Sequence, residues 1–411
     1  MKSWIRAILI LLSLTLVATA ADPLYSIDLT VARQGFDNQM CWVHARAGAI
    51  PEGTGKNPTV VMTMQKLQIS GSDVYYALNE IRTTDGGATW SEPKEHASFA
   101  RVPFSWNGKT DLETTVCDFS PRWHAKTQTL LGTGHTVVYE NNSGLRVRPR
   151  GTAYSVYDAE RQTWSPWKTV EMPPDSKFKN SGAGCVQRVD LDNGDILLPT
   201  YFKPIGTDQY STTVMRCQFD GKTLQYVEHG SELSVSVKRG LYEPSLTRFG
   251  GRFFLTLRND DDGYVSVSDD GLTFSQPKKW TFDNGEVLGN YNTQQHWVSH
   301  SDALFLVYTR RGANNDHVFR HRAPLFIARV DPEKLQVIRA SEQILVPEKG
   351  ARMGNFGVTE ISPEETWITV TEWMQGPAPN YSDPAPVVAR GADNRIWVAK
   401  INWSKPNRNF K

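Results

Sequence analysis

Apolar and polar positions alternate along this chain with the period of strands, not helices. Short runs such as TVVMTMQKL, TAYSVYD, DILLPTYF, RFFLTLR, YVSVSDD, ALFLVYTR, TWITVTEW and RIWVAKINW are each bounded by Gly, Asp, Asn or Pro. None of them carries the i, i+3, i+4, i+7 stripe of an amphipathic helix. Many short strands separated by turn residues predict an all-β sandwich, barrel or propeller.

Internal repetition chooses among these. The stretch IRTTDGGATWSEP (81–93) joins a strand to a turn, where Asp85 can accept backbone hydrogen bonds and glycine supplies positive φ. Thr89-Trp90-Ser91 returns as Thr163-Trp164-Ser165 and Thr273-Phe274-Ser275, with an echo at Thr223-Leu224. The units recur roughly every 50–75 residues, the length of a four-stranded sheet with its loops. That spacing predicts a β-propeller of about six blades. An unpaired edge strand would invite association, so a closed ring needs both chain ends in one blade. YSIDLTVAR (25–33) and RIWVAKINW (395–403) are the segments expected to pair.

Composition adds limits. Lys2 and Arg6, an apolar run and Ala18-Thr19-Ala20 form the pattern of a secretory signal peptide over residues 1–20, cut before Ala21. Secretion or periplasmic export is therefore expected, with one domain over 21–411. The formal net charge is +1, and loss of Lys2 and Arg6 takes it to −1. Such a balance gives no bulk attraction for nucleic acid or anionic membrane. Neither partner is expected, nor stable membrane insertion, and the chain is expected to be monomeric. Cys41, Cys117, Cys185 and Cys217 form no CxxC pair, which argues against a zinc or redox motif and leaves bridges and free thiols both open. The NDDDG run at 259–263 lacks the ligand pattern of a calcium loop and reads as a turn.

Thr83-x-Asp85-x-Gly87-x-Thr89-Trp90 fits the S/T-x-D-x-G-x-T-W Asp box, and Asp269-x-Gly271-x-Thr273-Phe274 is a weaker copy with Val267 at the Ser/Thr position. On these motifs the chain resembles the sialidase superfamily across nearly its whole length after the leader. The box is a structural device, so the resemblance implies a sialidase-like, six-bladed propeller; function must come from the site. Sialidases hold the carboxylate of their sugar with three arginines from different blades, and the rigid guanidinium fork suits that task. The resemblance points to Arg46 in CWVHARAGAIP, to Arg258 with Glu243 fifteen residues before it, and to Arg322 in HRAPLFIARV. Asp73, shortly before the first box, takes the place of the acid/base aspartate. The run RRGANNDHVFRHR (310–322), which holds His317 and ends on Arg322, is expected at the mouth of the same site, with His135 and Tyr291.

The sequence departs from the family at the nucleophile. Alignment puts Asn355 where a tyrosine should stand, with Phe356 beside it, and Tyr381 lies past a Pro-rich loop. Tyr291 from a neighbouring blade can fill the role, or water can attack after activation by a carboxylate or histidine. The expected activity is removal of an acidic sugar from an oligosaccharide or glycoconjugate, with no metal or organic cofactor. Alternatives are a lyase acting on uronic-acid glycans, for which His44, His124, His135 and His296 are candidate bases, and a carbohydrate-binding propeller without activity.

Overall fold

The structure is a computed structural model that describes residues 23–53, 56–70, 73–377 and 379–410. The leader assigned to residues 1–20 lies outside the described residues. The fold is all-β and propeller-like. Its strands fall into six antiparallel sheets, and in all but the last the main strands run from an inner one to an outer one in chain order. In the first sheet these are Met40–Ile50, Thr59–Gln68, Tyr75–Thr83 and Lys94–Glu95. The inner strands of the others are Lys109–His124, the interrupted pair Ser181–Gly182 and Val189–Asp190, then Tyr242–Phe249, His296–His300 and Gly357–Ser362.

The last sheet contains both chain ends. Tyr25–Arg33 pairs antiparallel with Ile396–Trp403, from Tyr25 opposite Trp403 to Arg33 opposite Ile396, as the alternation of both segments leads one to expect. This leaves the C-terminal strand no free edge, which removes a site for edge-to-edge association.

Alternation has its physical result between the sheets. A buried apolar cluster fills each gap between successive sheets. Ile50, Val61, Val116 and Phe119 join the first to the second, and Leu197, Val214, Leu246 and Phe253 the third to the fourth. Met62, Ile81, Trp367 and Val398 join the last sheet back to the first. Burial of this kind, at roughly 25 cal/mol per Å² of apolar surface, is the main force holding sheet to sheet. Cys41, Cys117, Cys185 and Cys217 are all buried free thiols.

The Asp box makes the bonds its sequence implies. Thr83 Oγ1 donates to Asp85 Oδ1 at 2.7 Å, while Asp85 accepts from Thr89 N at 3.0 Å and Thr89 Oγ1 at 2.6 Å. The second copy is shifted by one residue from the register read in the sequence. Its carboxylate is Asp270, not Asp269, which accepts from Thr273 N at 2.6 Å and from Ser268 Oγ at 2.9 Å. Ser268 thus supplies the hydroxyl that Val267 cannot. Asp158, Asp220 and Asp331 accept backbone N–H groups in the corresponding outer turns. The device recurs more widely than its motif.

Candidate functional site

One end of the inner strands carries a concentration of titratable groups, and backbone irregularity puts them there. His44, Asp118, Cys185, Glu243 and Asn292 each take positive φ, between 46° and 60°. Three of them sit in breaks of strand register, between Val43 and Arg46, Cys117 and Ser120, and Tyr242 and Ser245. A bulge turns a side chain out of the alternation of its strand, and left-handed backbone at a non-glycine residue costs on the order of 1–3 kcal/mol. Repetition of this strained step in five successive inner segments marks the region as built for something other than stability.

Asp118 is the hub of one half. Its Oδ1 lies 2.7 Å from Cys185 Sγ, 3.3 Å from His44 Nε2 and 3.4 Å from Arg46 Nη2, and its Oδ2 lies 3.8 Å from His135 Nε2. Burial works against its charge, but His44, Arg46 and His135 together hold it well below the ordinary carboxylate range. Burial also keeps His44 neutral, pushed down to about 4, and depresses His135 further with help from Arg150. His135 Nδ1 lies 3.2 Å from the Tyr201 hydroxyl, and its Nε2 lies 3.2 Å from Cys117 Sγ. A Cβ added to Gly184 would sit 1.9 Å from His135 Nδ1, so only glycine admits the ring. Cys117, Asp118 and His135 offer ligand atoms within 4.8 Å of one another, the one such group among the described residues.

The other half is cationic. Arg258 makes two bonds to Glu243, of 2.6 and 2.5 Å, and a third to Asn292 Oδ1 at 2.7 Å. Arg322 is buried, and among the described residues its side chain donates only to the Asn292 carbonyl, at 3.1 Å from Nε. Burial is the first cause of its depressed pKa, followed by repulsion from Arg258, Arg320 and Arg352. Arg352 stacks on Trp373 at 4.1 Å and on Phe319 at 4.8 Å. Burial and Arg320 bring it down to about 10. Asp73 stands exposed beside this group, its carboxylate accepting from Tyr75 OH at 3.0 Å and its carbonyl from Tyr139 OH at 2.8 Å.

The residues singled out from sequence divide accordingly. Glu243, Arg258, Arg322 and Asp73 come together. Arg46 lies on the Asp118 side, bonded to Cys185 Sγ at 3.1 Å and Gln294 Oε1 at 3.2 Å, while Arg320 and Arg352 take the places beside Arg322. His135 joins the Asp118 hub. Tyr291 sits at the edge, its hydroxyl 2.5 Å from His321 Nδ1 and its ring under Arg311. His317 faces Glu348 at 3.1 Å. Asn355 reaches the hub, with Nδ2 2.9 Å from His44 Nε2. His296 packs against Phe356, bonds Ser245 at 2.6 Å and reaches Arg46 only through Gln294, whose Nε2 lies 2.8 Å from its Nε2, while His124 bonds Gly194 O at 2.9 Å, away from the hub. Sequence reading missed Asp118, Cys185, Tyr201, Arg320 and Arg352. Arg320 was visible in the basic run; nothing local distinguishes the rest. A separate cavity of about 970 Å³ opens at the opposite end of the inner strands, and of the residues singled out Arg46, His124 and His296 line it.

Comparison with known proteins gives fold and little more. No family model and no curated protein matches the sequence. Solved structures do. A Dyadobacter fermentans protein of unknown function superimposes with a TM-score of 0.57 at 13% identity, covering 92% of this chain and 99% of that one. A Trypanosoma rangeli sialidase bound to the inhibitor DANA gives 0.58 at 12%, covering 92% of this chain and 60% of that one. The Streptococcus pneumoniae NanB sialidase gives 0.59 at 12%, covering 91% and 70%. The chain therefore has the propeller fold of the sialidases and spans about three fifths of the trypanosomal chain. No described helix is long and apolar enough to cross a membrane.

Proposed function

We propose that this chain is an exported, sialidase-like enzyme that binds a carboxylate-bearing sugar and cleaves it from a glycan. In this reading the six sheets are the six blades of one ring. The observation that carries the proposal is the gathering of Arg258, Arg320, Arg322 and Arg352 around two carboxylates, Glu243 and Asp73. Burying unpaired cations is costly, and a site that accepts the cost is ready for an anion. Arg322, with no ion-paired carboxylate among the described residues, takes the sugar's carboxylate, flanked by Arg352 and by Arg258. Asp73, exposed at the mouth, protonates the leaving oxygen. With Asn355 where a tyrosine would attack, the nucleophile is water, activated by Glu243, and the product anomer is inverted.

Two observations favour a second reading. A neutral His135 paired with Tyr201 is suited to removing a proton next to a carboxylate whose charge arginines offset. The pair would then eliminate the glycosidic oxygen, with Asp73 returning a proton to it, and leave a carbon–carbon double bond in the product. Incubation with sialosides and with uronic-acid oligosaccharides, read by proton NMR, separates the two. An inverted free acidic sugar supports hydrolysis; a vinylic proton and ultraviolet absorbance support elimination. Binding by calorimetry with neither product makes the chain a carbohydrate-binding propeller. Absence of binding to any acidic sugar refutes the proposal.

A further inference from the structure

A second set of cations lies outside the carboxylate pocket. Arg150 lies between two phenol rings, 5.1 Å from the centroid of Tyr201 and 5.6 Å from that of Tyr210. Among the described residues its single side-chain hydrogen bond is a long one, 3.4 Å to Tyr210 OH, and its Nε and Nη1 are buried without partners. Arg148 has Nε buried in the same condition and gives one bond to the Leu145 carbonyl. Lys203 holds its ammonium 4.8 Å from the Tyr210 ring. Among the described residues none of the three pairs with a carboxylate. Buried donors left unmade cost about 1–3 kcal/mol each, so the set is incomplete as it stands.

Asp73 connects this set to the pocket. It acts electrostatically on Arg148, and also on Arg320 and Arg352. The proposed acid thus lies near both groups of cations: Tyr139, whose hydroxyl donates to the Asp73 carbonyl, pairs with Gly144 at the start of the segment that carries Arg148 and Arg150. Burial alone would raise the Tyr210 pKa, yet Arg150, Lys203, Arg148 and Arg239 bring it below the ordinary phenol value.

We infer that Arg148, Arg150 and Lys203 form a second anion subsite on the leaving-group side, and that the substrate carries an acidic group on each side of the scissile bond. This rests on the carboxylate-pocket reading above. The second group is a carboxylate or a sulfate, since both present the planar or tetrahedral oxygens a guanidinium fork binds. Contiguous acidic sugars and sulfated acidic glycans are the substrate classes that fit; a neutral aglycone leaves these donors unmade.

The test compares disaccharides that share one non-reducing acid, sialic or glucuronic, linked to galactose, to galactose 6-sulfate or to a second acidic sugar. The second acidic group should raise kcat/KM, or lower Kd, by about tenfold to a hundredfold, the worth of one charge-assisted bond. The sulfated and carboxylated arms identify which anion is preferred. In an Arg148→Gln/Arg150→Gln variant the ratio should fall toward one. Lys203→Gln should lower it partly, and it keeps the test alive if the double variant fails to fold. A wild-type ratio near one, or a ratio unchanged in the variants, overturns the inference while leaving the pocket intact. Failure of the wild type to bind any of the three overturns both.

Discussion

Replacement of Arg322 by methionine should make the protein more stable and useless for binding. Arg322 is 3% exposed, forms no ion pair with a carboxylate among the described residues, and is repelled by Arg258, Arg320 and Arg352. Exchanging buried charge for well-packed apolar volume stabilises proteins by about 1–4 kcal/mol in favourable cases. Against this, the Asn292 carbonyl loses the donors it receives from Arg322, at about 1–3 kcal/mol. The expected net is a gain of about 1 kcal/mol, read as a higher urea midpoint at unchanged slope. A methionine chain also fills the contact with Gly354, whose absent Cβ would lie 2.5 Å from Arg322 Cδ. The second half of the prediction is that added acidic sugar raises the midpoint of wild type and not of Arg322→Met. A ligand at a hundred times its Kd adds about 2.7 kcal/mol. Loss of more than about 2 kcal/mol without ligand, by the standard of ordinary core substitutions, would show that Arg322 is a structural residue and end the case for an anion pocket.

Other expectations follow the same geometry. His44, ordinarily near 6.5 and pushed down to about 4 by burial, binds fewer protons folded than unfolded between those values, so its contribution is complete above pH 6.5 and lost as pH falls toward 4. The loss is on the order of 3 kcal/mol. His44→Gln should flatten the acid limb of stability in denaturation series from pH 7 to pH 4, and an unchanged limb would show that another group carries it. Gly184→Ala forces a methyl against His135 and Asp118 and should destabilise by about 1–3 kcal/mol, together with loss of turnover. An alanine variant with wild-type stability and rate would remove His135 from the site. In the second Asp box, Asp270→Ala should cost about 1–2 kcal/mol, and Asp269→Ala less than about 0.5. Reversed values in thermal unfolding would restore the register read from sequence.

What sequence can express about this molecule is set by period and by local bonding. Alternation in YSIDLTVAR and RIWVAKINW fixes which face is apolar, and two such strands with no other partner must meet, as Tyr25 and Trp403 do. Asp85 is legible because every group it bonds lies within four residues of it. Asp270 was misplaced by one because Asp269 and Asp270 are adjacent, and only the three-dimensional turn shows which faces Ser268 and Thr273. Glu243 and Arg258 could be paired from spacing because they occupy facing strands of one hairpin, where Tyr242 stands opposite Arg258. Asp118 could not, since its partners His44, Cys185 and His135 come from three sheets, and the bulges that turn His44 and Asp118 itself inward are announced by no residue pattern. The same reason explains Arg46: its strand was recognised, but the bulge after Val43 decides which acid it meets. A site assembled from irregular steps in otherwise regular strands is thus the part of a propeller that its repeat hides. Whether Asp118 or Arg322 accepts the first effect of a bound anion is therefore a question for the paired variants Asp118→Asn and Arg322→Met. Additive losses of binding would place them in separate halves; a double variant no worse than either single would make them one unit.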